Sequence, residues 1–124
     1  IATECMGMNN DLCLEVAIPD PGLESAIRVK IGKSRKPYAP ICAKDLEGRI
    51  NFHVWGYWVF DLTGLEYFTD LKVLDIEDNE ITDISPLSQL VNLETLRLRN
   101  NPLSETSIKV YIPQLKERGV GVKW

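Results

Sequence analysis

The segment DIEDNE, residues 75–80, concentrates the oxygen-bearing side chains that calcium prefers as ligands. A calcium loop of the EF-hand type also requires a glycine at its sixth position and a glutamate at its twelfth, and this segment has neither. His53 is the only histidine, and the chain has no CxxC pair, so a zinc site is not expected either. The sequence therefore predicts no metal site and no cofactor.

Catalytic motifs are also missing from the sequence, which has no glycine-rich phosphate loop and no GxSxG. The net charge of −4 and the pI near 5.0 argue against a nucleic-acid binder, which normally carries a basic face. No run of 18 apolar residues is present, so no membrane insertion is expected. We expect a single small globular domain that is not an enzyme.

The three cysteines bear on the cellular compartment. Cys5 and Cys13 lie eight residues apart in a polar stretch that has little else to hold it, and this spacing favours a Cys5–Cys13 disulfide. Such a bond would indicate an oxidising compartment, whereas two free thiols would fit the cytosol. Cys42 would then be left over, as a small buried apolar side chain.

Five of the ten aromatic residues fall in the segment FHVWGYWVF, residues 52–60. One short strand cannot bury so many rings, and two interpretations remain open. Several rings pack under the N-terminal segment, or Trp55 with His53 and Trp58 forms an exposed patch. Such a patch suits protein binding, because tryptophan buries a large area with few rotatable bonds, and it could also stack on a sugar ring.

A pattern of four apolar positions and one asparagine recurs after 22 residues. It is formed first by Leu71, Leu74, Ile76, Asn79 and Ile81, and then by Leu93, Leu96, Leu98, Asn101 and Leu103. The spacing LxxLxLxxNxL predicts a short strand with inward leucines, followed by a turn in which the asparagine amide satisfies backbone groups. Because one such unit cannot bury its own apolar side, successive units must stack.

Extending the period backwards gives a degenerate first unit at 49–70, in which Tyr57 takes the place of the asparagine. Asp20 and Pro21 predict the start of a helix over about 21–31. The C-terminal residues predict a helix broken or kinked at Pro113, and then a closing strand. The expected organisation is an N-terminal cap, a repeat region and a C-terminal cap, at residues 1–48, 49–103 and 104–124.

Four strings carry a resemblance to a known family, namely IPDPGLESAIRVKIG, DLTGLEYFTDL, ITDISPLSQLVNLETLRLRNNPLS and NPLSETSIKVYIPQLKERGVGV. They resemble the 22-residue leucine-rich repeats of bacterial surface and secreted proteins such as the internalins. The resemblance implies an α/β fold, a short solenoid with a parallel concave sheet, a helical N-terminal cap and a helix-plus-strand C-terminal cap. It also implies a secreted or cell-surface protein that recognises partners through the concave sheet, without catalysis.

Aligning the units by their period places two rows of side chains across the concave face. The rows are His53, Asp75, Arg97 and Trp55, Glu77, Arg99. Neighbours in a row would lie about 4.8 Å apart, so that Asp75 could pair with Arg97 and Glu77 with Arg99. The charges either keep the face soluble or form a patch for a partner, and both can hold together.

The predicted function is protein–protein recognition at a bacterial surface or in a secreted protein. The residues expected to contact the partner are His53, Trp55, Trp58, Asp75, Glu77, Arg97 and Arg99. Two alternatives remain, a glycan-binding module that uses the aromatic residues of 53–58 and a self-assembly element. The chain would then be a monomer or a weak homodimer.

Overall fold

The computed structural model describes residues 13–124, which form three α-helices and one four-stranded sheet. The helices are α1 (Pro21–Lys30), α2 (Ala43–Leu46) and α3 (Ile112–Glu117), and the strands are β1 (Asn51–His53), β2 (Val73–Asp75), β3 (Thr95–Arg97) and β4 (Gly121–Lys123). Between the strands lie two 3₁₀ turns, Leu65–Tyr67 and Ser85–Gln89, and a π-helical turn, Ser107–Tyr111.

All four strands are parallel and follow one another in the order β1-β2-β3-β4. Phe52, Leu74, Leu96 and Val122 stand opposite one another, and the first three are buried. The spacing of 22 residues between successive strands is therefore the length of one coil. This register confirms the predicted α/β solenoid with stacked repeats.

The coils return to the sheet through turns that bury their apolar side chains against one continuous core. Leu65 and Leu87, in the two 3₁₀ turns, are fully buried, as are Ile81 and Ile84 in the second coil. Pro86 lies in the first turn of Ser85–Gln89, where its missing N–H leaves no helical bond unmade. The apolar positions that sequence periodicity assigns to the return are thus interior.

Asn79 joins the second coil to the first through hydrogen bonds. The N–H of Val59 donates to its Oδ1 over 3.0 Å, and its Nδ2 donates to the carbonyls of Val54 at 2.8 Å and Ile76 at 3.1 Å. Asn101 repeats the arrangement one coil later, accepting from the N–H of Ile81. The buried amide satisfies backbone groups that the turn would otherwise leave without partners.

The N-terminal cap is joined to the first coil through Asp20, the N-cap residue of α1. One carboxylate oxygen accepts from the N–H of Leu23 at 3.0 Å, and the other accepts from the N–H groups of Phe60 and Asp61 at 2.8 and 2.9 Å. Gly22 allows this approach, because a Cβ there would lie 2.1 Å from the carbonyl oxygen of Tyr57. Asp20 thus caps a helix and holds the turn after β1.

The disulfide joins Cys13 to Cys42, so the prediction of a Cys5–Cys13 bond is wrong for Cys13 and Cys42 is not left over. Cys5 itself lies outside the described residues. An antiparallel bridge between Glu15 and Cys42 brings the two segments together across 29 residues of chain. Local spacing could not reveal this pairing, because it depends on how the N-terminal segment crosses the cap.

Asp45 holds the N-terminus of α2 beside this disulfide. Its carboxylate accepts from the N–H of Cys42 and from Nζ of Lys33, both at 2.8 Å. Burial by itself would raise the pKa of Asp45, but these two hydrogen bonds and the positive charges of Lys33 and Arg49 outweigh burial, so the pKa lies below its ordinary value.

The helix of the C-terminal cap is not broken at Pro113, where the sequence predicts a break or kink. The π-helical turn Ser107–Tyr111 leads directly into α3, and the N–H of Ile112 bonds five residues back to the carbonyl of Ser107. This wider turn ends two residues before Pro113, which has no backbone N–H to donate to the helix. The hydroxyl of Ser107 donates to the carbonyl of Thr82 at 2.7 Å and ties the cap to the second coil.

Candidate functional site

The side of the sheet that faces away from the core, called here the open face, carries six of the seven predicted site residues, all but Trp58. Along each strand alternate side chains point to this side, and the parallel register aligns them into rows. One row is His53, Asp75, Arg97 and Lys123. Backbone bonds from Val54 to Asp75 and from Asp78 to Arg99 extend the pairing past the strands.

Aromatic rings occupy the β1 end of the open face. Trp55 is 57% exposed, and its ring meets that of His53 edge-on with the ring centroids 5.8 Å apart. The His53 side chain is itself half exposed. The two rings therefore form a paired aromatic surface, as one of the two interpretations of this segment predicts.

Trp58 follows β1 in the turn between the first strand and its return, and its side chain is 76% exposed. Its backbone has a φ of 58°, a left-handed conformation that costs an L-residue about 1–2 kcal/mol. Neighbouring bonds impose this conformation, because Val59 donates to Asn79 and Phe60 donates to Asp20. Strain of this kind is often found at functional sites.

The repeat does not explain the conformation of Trp58. Two other non-glycine residues of the described chain have positive φ, Asp78 and Asn100, and they occupy equivalent positions of successive coils. The side chain of Asn100 donates to that of Asp78 at 2.7 Å, so these two positions form a ladder along the solenoid. Trp58 stands outside that ladder, two residues after Gly56, the positive-φ glycine that occupies the equivalent position of the first coil.

Tyr57 and Phe60 complete the aromatic segment, and they differ in burial. Tyr57 is half-buried against the core, whereas Phe60 is 58% exposed. Packing against the core therefore accounts for one of the four rings that the strand cannot take. The other three rings face solvent.

Acidic side chains lie in the middle of the open face, and they are less accessible than the sequence suggests. Asp75 is only 4% exposed, with one carboxylate oxygen accepting from the N–H of Glu77 at 3.2 Å and the other 3.9 Å from Nδ1 of His53. Glu77 is half-buried. Within residues 13–124, the predicted ion pairs of Asp75 with Arg97 and of Glu77 with Arg99 are not formed.

Basic side chains occupy the other end of the open face. Arg97 and Arg99 are exposed, and Arg97 stands directly opposite exposed Lys123 of β4. In the described part of the chain, none of the three has a carboxylate within 4.0 Å. Sequence reasoning missed Lys123, although adding the closing strand to the sheet in register would have placed it in the first row.

Other kinds of site find little support among residues 13–124. No group of three histidine, cysteine or acidic side chains in this range is arranged to hold a metal ion. In the same range, no helix has both the length and the apolar character needed to cross a bilayer. The register of the strands aligns the predicted residues on the open face, and Trp58 lies beside it in the turn after β1.

Comparison with known proteins places this geometry in context. Residues 69–111 match the leucine-rich repeat family, in two copies. A segment of 69 residues is 33% identical to internalin H of Listeria monocytogenes, covering 56% of this chain and 12% of that protein. The chain thus spans only a small part of this curated relative.

Solved structures of internalins are similar to a larger part of the chain. An internalin from Listeria monocytogenes, inlF, superposes with a TM-score of 0.69 and 31% identity, over 85% of this chain and 29% of that one. Internalin C2 of the same species gives a TM-score of 0.69 and 29% identity, over 82% and 42% of the two chains. The repeat spacing, the parallel sheet and these similarities together identify the chain as an internalin-like bacterial leucine-rich repeat protein.

Proposed function

We propose that this chain is a non-catalytic recognition module that binds a protein partner through the open face of its sheet. The observation that carries the proposal is the exposed pair of His53 and Trp55 beside charged side chains on one side of the sheet. Large aromatic side chains held on regular backbone are typical binding hot spots, because little conformational freedom is lost when they are covered. Similarity to internalins supports the same class of function.

We place the module in a secreted or cell-surface bacterial protein. The Cys13–Cys42 disulfide supports this location, because such bonds persist in oxidising compartments and are rare in the cytosol. Internalin H and the two solved internalins are the relatives that suggest it.

The proposal is tested by selecting binders from a displayed library of extracellular protein fragments and measuring their affinity for three variants. Trp55→Ala should weaken binding at least about tenfold, the effect of removing a hot-spot side chain. Tyr38→Ala is the matched control, because Tyr38 is almost fully exposed in the loop after α1, away from the sheet. Trp58→Gly examines the turn; glycine adopts the left-handed backbone without strain, so the fold should be kept, and circular dichroism checks that point.

Two results would contradict protein recognition by this face. The selection could enrich no fragment, or the enriched fragments could bind Trp55→Ala as well as they bind the unchanged chain. A melting temperature that falls by several degrees in Trp55→Ala while affinity is unchanged would assign this tryptophan to the fold instead.

A glycan is the second candidate ligand, favoured by the exposure of both Trp55 and Trp58 in one short segment. Flat, solvent-facing indoles can stack on sugar rings. A glycan array probed with the unchanged chain and with Trp55→Ala separates the two candidates. Retention of a polysaccharide that depends on Trp55 would favour the glycan, and light scattering of the same samples would detect a tryptophan-dependent dimer, which favours self-assembly.

A further inference from the structure

We infer that the partner is a protein segment that places carboxylates against Arg97, Arg99 and Lys123 and an apolar side chain against Trp55. This inference rests on the proposed function and specifies the chemistry of the partner. It follows from the distribution of charge across the open face, which runs from aromatic at β1 through acidic at β2 to basic at β3 and β4.

Among residues 13–124, no carboxylate forms an ion pair with the basic end of the open face. Arg97 and Lys123 are direct neighbours across two parallel strands, about 4.8 Å apart in backbone spacing, and like charges in that position repel. The neighbouring carboxylates do not relieve the repulsion, because Asp75 is buried toward His53. An arriving carboxylate would satisfy both cations, and arginine offers it two parallel donors.

Charge also decides between a protein segment and a polyanion. A uniformly negative polymer that crossed the face from β4 to β1 would pass over Glu77 and Asp75, and it would approach a chain whose net charge is −4. A protein segment can instead change its character from one residue to the next. The mixed pattern of the face therefore fits an acidic protein segment with an apolar anchor.

The spacing of the strands sets the spacing of the recognised residues. From β1 to β3 is two strand steps, about 10 Å, and from β1 to β4 is three, about 14 Å. An extended chain that crosses the strands advances about 3.3 Å per residue. The carboxylates should therefore stand three to four residues from the apolar anchor, with a basic or neutral residue between them over Glu77.

The test is a selection from a random peptide library displayed on phage, with the folded chain immobilised. Enriched peptides should carry aspartate or glutamate three to four residues from an aromatic or aliphatic residue, in excess over the starting library. Their affinity should fall at least about tenfold for Arg97→Glu with Arg99→Glu, and it should fall with rising salt. The control, Arg35→Glu with Lys36→Glu, makes the same charge change in the loop after α1 and should alter affinity less than about twofold.

The variants remain interpretable because neither arginine makes an ion pair in the described chain. Arg97→Glu places a carboxylate opposite Lys123, which removes one repulsion, but also opposite Asp75, so Arg97→Gln with Arg99→Gln, which adds no negative charge, is measured beside it. Circular dichroism of each variant checks that the fold is kept.

Each other result would overturn the inference in a recognisable way. No enrichment, or peptides without an acidic excess, would reject it. Peptides that lose affinity for Trp55→Ala but tolerate the arginine changes would reject the charge pattern and leave the proposed function standing. Peptides whose affinity is unchanged by both Trp55→Ala and the arginine changes would reject this inference and the proposed function together. Retention of heparin with the same arginine dependence, and tighter than that of any peptide, would reject the choice of a protein segment.

Discussion

Asn79 shows how much one side chain can do in a thin coil. Its amide meets the backbone of its own turn and of the coil before it, at Val54, Val59 and Ile76. It is 3% exposed, so water cannot replace a bond that is lost. The first coil has Tyr57 at this position, and there the N–H groups of Phe60 and Asp61 donate to Asp20 and hold the turn instead.

Replacing Asn79 with alanine should lower the free energy of unfolding by about 3 kcal/mol, because several buried backbone groups lose their partner at once. Chemical denaturation followed by circular dichroism measures the change. Asn92→Ala is the control, since Asn92 is exposed and its Nδ2 makes one bond, to the carbonyl of Thr69. Equal and small losses for the two variants would show that the asparagine ladder does not stabilise the stack.

For single residues, the sequence predicted the positions of the site residues correctly but not the contacts that their side chains make. The period alone places His53, Asp75 and Arg97 in one row, because parallel strands of equal spacing leave no other register. It could not predict that Asp75 would be buried toward His53 rather than paired with Arg97, since rotamers depend on packing. The left-handed backbone of Trp58 has no signal in the residue type and follows from bonds made by Asn79 and Asp20.

Among the elements, the N-terminal cap depends on contacts between distant segments. Residues 13–16 cross the cap and pair with residues 41–43, where the N–H of Val16 bonds to the carbonyl of Ile41 and the disulfide closes beside it. Asp20 then connects α1 to the turn after β1. The cap is therefore fixed to the repeats by covalent, polar and apolar contacts together.

Reducing the Cys13–Cys42 bond, or changing Cys13 to serine, should destabilise the chain by about 2–4 kcal/mol, because a cross-link over 29 residues restricts the unfolded state. Thermal unfolding with and without reductant measures the loss. Each chain should react with one equivalent of a thiol reagent when it is denatured without reduction, and with three equivalents after reduction. A linked peptide containing Cys5 and Cys13 in the non-reduced digest would contradict this pairing.

The elements differ in how far local sequence determines them. Asp20 and Pro21 are start signals that act within one turn, and the helix they predict begins at Pro21 and ends at Lys30. Pro113 is also a strong local signal, yet the helix runs through it, with a π turn directly before α3. The disulfide is the extreme case, since its partner is chosen by the tertiary path of the chain.

At the scale of the whole molecule, the described residues share one apolar core that extends from α1 through the coils to the C-terminal cap. Leu23 and Ile27 lie at one end and Leu115 and Val120 at the other, joined by the stacked leucines. Family resemblance and period together predicted this architecture, because a unit that cannot bury its own apolar side has to be covered on both sides.

This continuity should make unfolding a single cooperative transition. Leu115→Ala removes a buried side chain from the C-terminal cap and should cost about 2–5 kcal/mol. In a Trp124→Phe background, tryptophan fluorescence reports only on Trp55 and Trp58 near the other end. The urea midpoint from fluorescence should shift together with that from circular dichroism, and a fluorescence midpoint that stays in place would show that the ends unfold separately.

The asparagine bonds run in one direction, since Asn79 and Asn101 each reach back to the coil before them. Neither terminus therefore determines how many coils lie between. A duplicate of residues 71–92 inserted after Asn92 would contain its own asparagine, which can bond to the backbone of the preceding coil. It would also present to Asn101 the same backbone groups that residues 71–92 present now. Repeats can therefore be added without changing either cap. Each added repeat would widen the open face by one strand.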